Sequence, residues 1–288
     1  MPRNLNPAFD AIEHYENWLQ FGPYNWNSLR AAIDKLQTSN TQLSLSSEIS
    51  PVLHKFDPHQ LDTLLVNCRQ PPYDAYFENP LTPDVADFSP EQQRVLLRHF
   101  TAFDLMAWLS QRVQPLSTSQ QNFIKLRVIA KQQRFIVSNA AVDLHMEMPE
   151  KLLKEDPARS VLIQRVNAFL QDGPYTLDEF LKLLLDSQRS MRPFYMTPVL
   201  DACLHKFPID QMSLVLRTLR LDDENDMPLP KFNEMSDEQI RAFGECVAPN
   251  CIQDYLTIKL ANYQTASISR FLLEAITEAD QLLQIKPE

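Results

Sequence analysis

Residues 18–69 of this chain align without a gap on residues 169–220, at an offset of 151, and that self-similarity constrains the fold more than any other feature. Leu19-Gln20 and Gly22-Pro23-Tyr24 recur as Leu170-Gln171 and Gly173-Pro174-Tyr175. Leu53-His54-Lys55-Phe56 recurs as Leu204-His205-Lys206-Phe207, with Gln60 on Gln211 and Arg69 on Arg220. After a four-residue change of offset, SPEQQR at 89–94 lies on SDEQIR at 236–241, and Leu105, Trp108 and Leu109 lie on Ile252, Tyr255 and Leu256. A long period of this kind marks repeated supersecondary units, each of which buries its apolar face on a neighbour. The reading is a tandem duplication: a first half at 1–140, a helical connector at 141–166 and a second half at 167–288.

Composition then selects the type of element. Only 3 of the 288 residues are glycine, where roughly 7% is usual, so positive-φ turns are scarce and helices are the natural reading. In the first half Gly22-Pro23 ends one helix, Asn25 caps the next, and Trp26, Leu29, Ala32, Ile33 and Leu36 form its apolar stripe. Thr176 takes the place of that cap in the second half, followed by Leu177, Phe180, Leu181, Leu184 and Leu185. Further helices carry Leu61, Leu64 and Leu65, or Met212, Val215 and Leu216. Ser89 and Ser236 are N-caps, while Phe100, Leu105, Trp108 and Leu109 form another stripe. Pro149 and Pro157 each stand just inside a helix start. The predicted fold class is all-α: antiparallel helix pairs stacked as an α-solenoid or bundle, internally duplicated.

A search for chemistry returns no catalytic, cofactor-binding or metal-binding residues. Glycine-rich phosphate loops, HExxH, GxSxG and paired CxxC phrases are all missing from the sequence. The histidines are His14, His54, His59, His99, His145 and His205; the repeated His54-Lys55 and His205-Lys206 pairs read as complements to a helix C-terminus. Cys68, Cys203, Cys246 and Cys251 lack zinc spacing and read as reduced thiols. Tyr24 and Tyr175 are expected to pack behind their turns. The run Asp222–Asp226 lacks the glycine and distal glutamate of a calcium loop, and Asp254 is read as equally ordinary.

A net charge of −10 and a pI near 5.1 argue against nucleic acid as a partner. The local strip Lys125, Arg127, Lys131 and Arg134 reads as the solvated basic face of an amphipathic helix. No apolar run reaches the roughly 20 residues that a membrane span needs. MPRNLNPAFD contains no apolar leader, so a cytoplasmic protein is expected. Long loops at 68–89 and 219–237 occupy matched places, and Tyr73, Tyr76 and Phe77 are candidates for an exposed contact patch. The surface that binds a partner is not identified by the sequence.

The Gln- and Asn-rich helical composition and the tail FLLEAITEADQLLQIKPE, with its acidic Glu274, Glu278 and Asp280, resemble effectors that Legionella delivers through its type IV (Dot/Icm) system. The same tail also reads as an amphipathic helix with Phe271, Ile276 and Leu283. The body is similar in kind to tetratricopeptide-like proteins, including effectors that bind and restrain another effector, although the strict consensus is not present. This resemblance implies a non-enzymatic protein–protein interaction module that regulates a bacterial effector or a host protein after translocation into the host cytosol. A second resemblance supports an alternative. TPVLDACLHKF at 197–207 looks like the LLPxLxxxxxK helix of domains that exchange nucleotide on endosomal Rab GTPases, and Tyr255-Leu256-Thr257 looks like their tyrosine-threonine phrase. The acidic residue expected four positions before Pro198 is Phe194 here.

Overall fold

The computed structural model describes residues 7–38, 46–70, 81–139, 157–189, 197–219, 230–262 and 266–284. Among the described residues all regular structure is helical and no strand occurs. In chain order the α-helices are α1 (Pro7–Phe21), α2 (Trp26–Thr38), α3 (Ser46–Ile49), α4 (Pro58–Asn67), α5 (Pro90–His99), α6 (Ala102–Val113) and α7 (Thr118–Asn139). They continue as α8 (Pro157–Asp172), α9 (Leu177–Arg189), α10 (Thr197–Cys203), α11 (Ile209–Leu219), α12 (Asp237–Cys246), α13 (Pro249–Asn262) and α14 (Ala266–Gln284). Short 3-10 turns occupy Ser50–Lys55, Val85–Asp87, Leu204–Lys206 and Phe232–Glu234. The expected contact patch of Tyr73, Tyr76 and Phe77, the 222–226 acidic run, Pro149, His145 and Phe194 lie outside the described residues.

The chain divides into two compact units, one formed by 1–113 with 272–288 and the other by 114–271. In the first unit α1 packs on α2, α2 on α4 and α4 on α5. In the second α8 packs on α9, α9 on α11, α11 on α12, and α7 on α12, α13 and the turn at 232–234. The two sequence halves and the two compact units cut the chain at different places: α7 closes the first half yet sits in the second unit, and α14 from Leu272 onward sits in the first.

Local sequence explains these boundaries. α1 and α8 stop at Gly22 and Gly173, whose φ values of 76° and 75° are open to glycine and strained for other residues. The Gly22-Pro23 and Gly173-Pro174 peptide bonds are both cis. Asn25 Oδ1 accepts the Ser28 N–H at 2.9 Å, and Thr176 Oγ1 accepts the Glu179 N–H at 3.4 Å, as helix caps do. Ser89 with Gln92 and Ser236 with Gln239 form complete capping boxes at α5 and α12.

The stripe expected on α2 is buried in full. On α9 the expected stripe is corrected. Phe180, Leu183 and Ser187 are buried, Leu177, Leu181 and Leu184 are half-buried, and Leu185 is exposed. Three consecutive leucines at 183–185 let a 3.6-residue period run through more than one of them, and packing selects the helix rotation that aligns Leu183 with Ala32.

Candidate functional site

Each repeated phrase builds one aromatic pillar. Phe56 is buried against Trp18 and Tyr24, with ring centroids 6.1 and 5.9 Å away. Phe207 meets Phe169 and Tyr175 at 6.1 and 5.8 Å. The tyrosine hydroxyls do more than pack: Tyr24 donates toward Leu19 O and Gln20 O at 3.2 and 3.0 Å, and Tyr175 toward Leu170 O and Gln171 O at 3.1 and 3.0 Å. These are the carbonyls that a helix end leaves without an intrahelical donor. Lys55 Nζ lies 5.0 Å from the Tyr24 ring centre and Lys206 Nζ lies 5.4 Å from that of Tyr175, within cation–π range. The repeated lysines are thereby engaged in local structure.

A glutamine, buried at Gln92 and half-buried at Gln239, ties each pillar to the next helix. Gln92 Nε2 donates to His54 O at 2.8 Å and Phe56 O at 2.6 Å, while its Oε1 accepts the Ser89 N–H. Gln239 makes the matching bonds to His205 O at 2.9 Å and Phe207 O at 3.0 Å. Sequence reasoning found these residues as parts of helix caps and missed their role as clamps between elements. Their recurrence at matched positions was the available signal.

The titratable groups serve packing in the same way. His205 Nε2 stands 2.9 Å from Glu234; burial nonetheless holds the imidazole below its ordinary pKa, outweighing the carboxylate. Asp62 bridges His99 at 2.7 Å and Arg98 at 3.3 Å, and the hydrogen bond from His99 holds its carboxyl below the ordinary value. Burial pushes the Cys68 and Cys203 thiols up to about 11 and about 12, which keeps them protonated and poorly nucleophilic at neutral pH. Among the described residues no group of three or more His, Cys, Asp or Glu side chains could hold a metal ion.

Two further expectations are revised. The basic strip on α7 is not one solvated face: Lys125 is buried, Arg127 and Lys131 are half-buried, and Arg134 is exposed. Burial holds the Lys125 ammonium below its ordinary pKa. Arg241, with Arg127, instead stacks on Phe123, 4.4 and 5.5 Å from its ring centre. Tyr255 is only 8% exposed. In the tail, Phe271, Ile276 and Asp280 are buried and Leu283 is exposed, so the acidic block is not a continuous surface feature.

What remains on the outside differs between the two halves. Val161 on α8, Leu185 on α9 and Leu214 on α11 are 57%, 48% and 46% exposed, on three helices that pack in sequence through α9. At the same offset of 151 the positions in the first half are Asp10, Asp34 and Thr63, the first of them reached by extending that offset back from the aligned segment along α1 and α8. Conversely Phe21, Val66 and Phe103 are exposed in the first unit, where the second half carries Asp172, Arg217 and Asn250. Single exposed apolar residues are ordinary; these six fall at positions where the matched residue is polar, whereas the exposed Phe135, Ile209 and Leu283 match Leu282, Pro58 and Ile136. Among the described residues no helix is long and apolar enough to cross a membrane. Compared with protein-family models, with curated proteins and with solved structures, the chain gives no match.

Proposed function

We propose that the chain is a non-enzymatic protein-binding module built from two copies of one helical array, which share an interior plan and present different outer faces. The observation that carries this reading is the mismatch of outward apolar side chains: Val161, Leu185 and Leu214 stand where the first half has Asp10, Asp34 and Thr63. The pillars, caps and glutamine clamps recur, whereas outward chemistry diverges. Stacked helical units characteristically bind partners through such extended surfaces. The α8–α9–α11 face fits a protein that offers aliphatic or aromatic side chains. As its setting we propose the one that the resemblance implies, a translocated bacterial effector regulating a host protein or another effector.

The test is affinity capture by the full chain from eukaryotic cytosol and from bacterial extract, beside a V161E/L185E/L214E variant that keeps a wild-type melting curve. One protein retained stoichiometrically by wild type and lost by the variant supports the reading, and the extract it comes from identifies the cell in which it acts. No capture from either extract, or equal capture by both forms, contradicts the proposed face. Exchange on Rab GTPases is the alternative reading, although the buried Tyr255 gives it no exposed tyrosine. Acceleration of GDP release from endosomal Rab proteins would replace the binding-module reading with that one.

A further inference from the structure

Asp280 lies on α14 with its side chain 1% exposed. One carboxylate oxygen accepts the Val85 N–H at 2.9 Å, and the other meets the Arg112 guanidinium from α6. Arg112 is fixed in turn, because its Nη2 donates to Pro83 O at 2.8 Å. One turn further along α14, Gln284 Nε2 donates to Asp84 Oδ2 at 3.1 Å, while Asp84 Oδ1 caps the Ala86 N–H at 3.1 Å. The end of α14 thus clasps residues 83–86 within the first unit.

Position 133 on α7 provides an internal comparison. Gln133 stands at the place in α7 that matches Asp280 in α14. Its Oε1 accepts the Asn233 N–H at 3.1 Å and its Nε2 donates to Pro230 O at 3.2 Å. A neutral amide therefore suffices to dock the matching helix on the matching turn. The charged groups that face Asp280 are Arg112 from α6 and Asp84 from the turn. Two carboxyls and one guanidinium leave a surplus negative charge where burial makes charge costly, and a bound proton removes it. Burial, aided by Asp84, pushes the Asp280 carboxyl up to about 7, against the opposing pull of the Val85 N–H and Arg112.

We propose that Asp280 is a proton-operated latch for the C-terminal helix, a conformational device that the second unit lacks at Gln133. Since the folded chain holds this proton more tightly than an ordinary aspartate with a value of 3.8, docking is fully favoured below the ordinary value. It weakens as pH rises through the folded one. Release would uncover Leu272, Ile276 and Ala279, all buried on the docked helix. The latch does not depend on the protein-binding reading.

The test is hydrogen exchange with mass spectrometry on the full chain from about pH 5 to about pH 8, corrected for intrinsic exchange rates. Protection at 272–284 is expected to fall by roughly tenfold or more across that range, while protection at 118–139 stays level. Asp280→Asn should flatten the response by adopting the neutral bonding of Gln133. Should that variant not fold, Asp84→Asn provides the reading: it removes the second carboxylate and should move the transition to lower pH. A wild-type α14 without pH dependence, a folded Asp280→Asn variant with the wild-type slope, or an unmoved transition in Asp84→Asn would overturn the latch.

Discussion

At Gly22 and Gly173 a side chain is excluded twice over, by the backbone and by its neighbours. A Cβ added there would lie 3.0 Å from Tyr24 N and 2.9 Å from Tyr175 N, and the positive φ is itself unfavourable for other residues. Gly22→Ala and Gly173→Ala should each cost about 1–2 kcal/mol in urea unfolding; unchanged midpoints for both would remove this explanation of the turns. Gln92 carries more bonds than any cap requires. Gln92→Leu leaves the carbonyls of His54 and Phe56 and the Ser89 N–H without their side-chain partner, at an expected cost of about 1–3 kcal/mol. Gln92→Glu should recover little of it, because a carboxylate cannot donate to two carbonyls. Rescue by glutamate would show that acceptance from Ser89 is what matters. The turn and the cap were legible at this scale because each is specified by residues a few positions apart. The clamp spans 36 residues between Gln92 and Phe56, and no local pattern announces it.

Among the elements, periodicity identified faces well where apolar residues were sparse and poorly where they were abundant. Trp26, Leu29, Ala32, Ile33 and Leu36 had no competitors and are all buried. LKLLL in α9 offered more than one stripe, and the burial of Leu183 with exposure of Leu185 was decided by packing. α7 marks a different limit. Its lysines and arginines implied a wet face, yet Asn122, Lys125 and Gln132 are buried among the apolar residues. Asn122 is held there because Nδ2 donates to Gly244 O at 2.7 Å and Val247 O at 3.3 Å. Gly244 permits that approach: a Cβ would lie 3.1 Å from the Cβ of Asn122. A helix wrapped on several sides by partners distant in sequence cannot be recognised from its own amphipathicity.

Across the whole molecule, the all-α class followed from scarce glycine and recurring helical phrases, while the outward chemistry that distinguishes the halves became visible only when exposure was known. The allocation of helices to units was the least legible feature. Sequence proximity places α7 with α6 and α14 with α13, whereas the compact units place α7 beside α12 and the greater part of α14 with Arg112 and Val85. The architecture turns on this completion of each unit by the last helix of the other sequence half. The decisive comparison is hydrogen exchange on the full chain and on a chain ending at Phe271. Truncation should strip protection from residues 85–113 and leave that of 118–139 and 237–262 in place. Loss confined to 237–262, with 85–113 unchanged, would contradict the exchange of helices between halves.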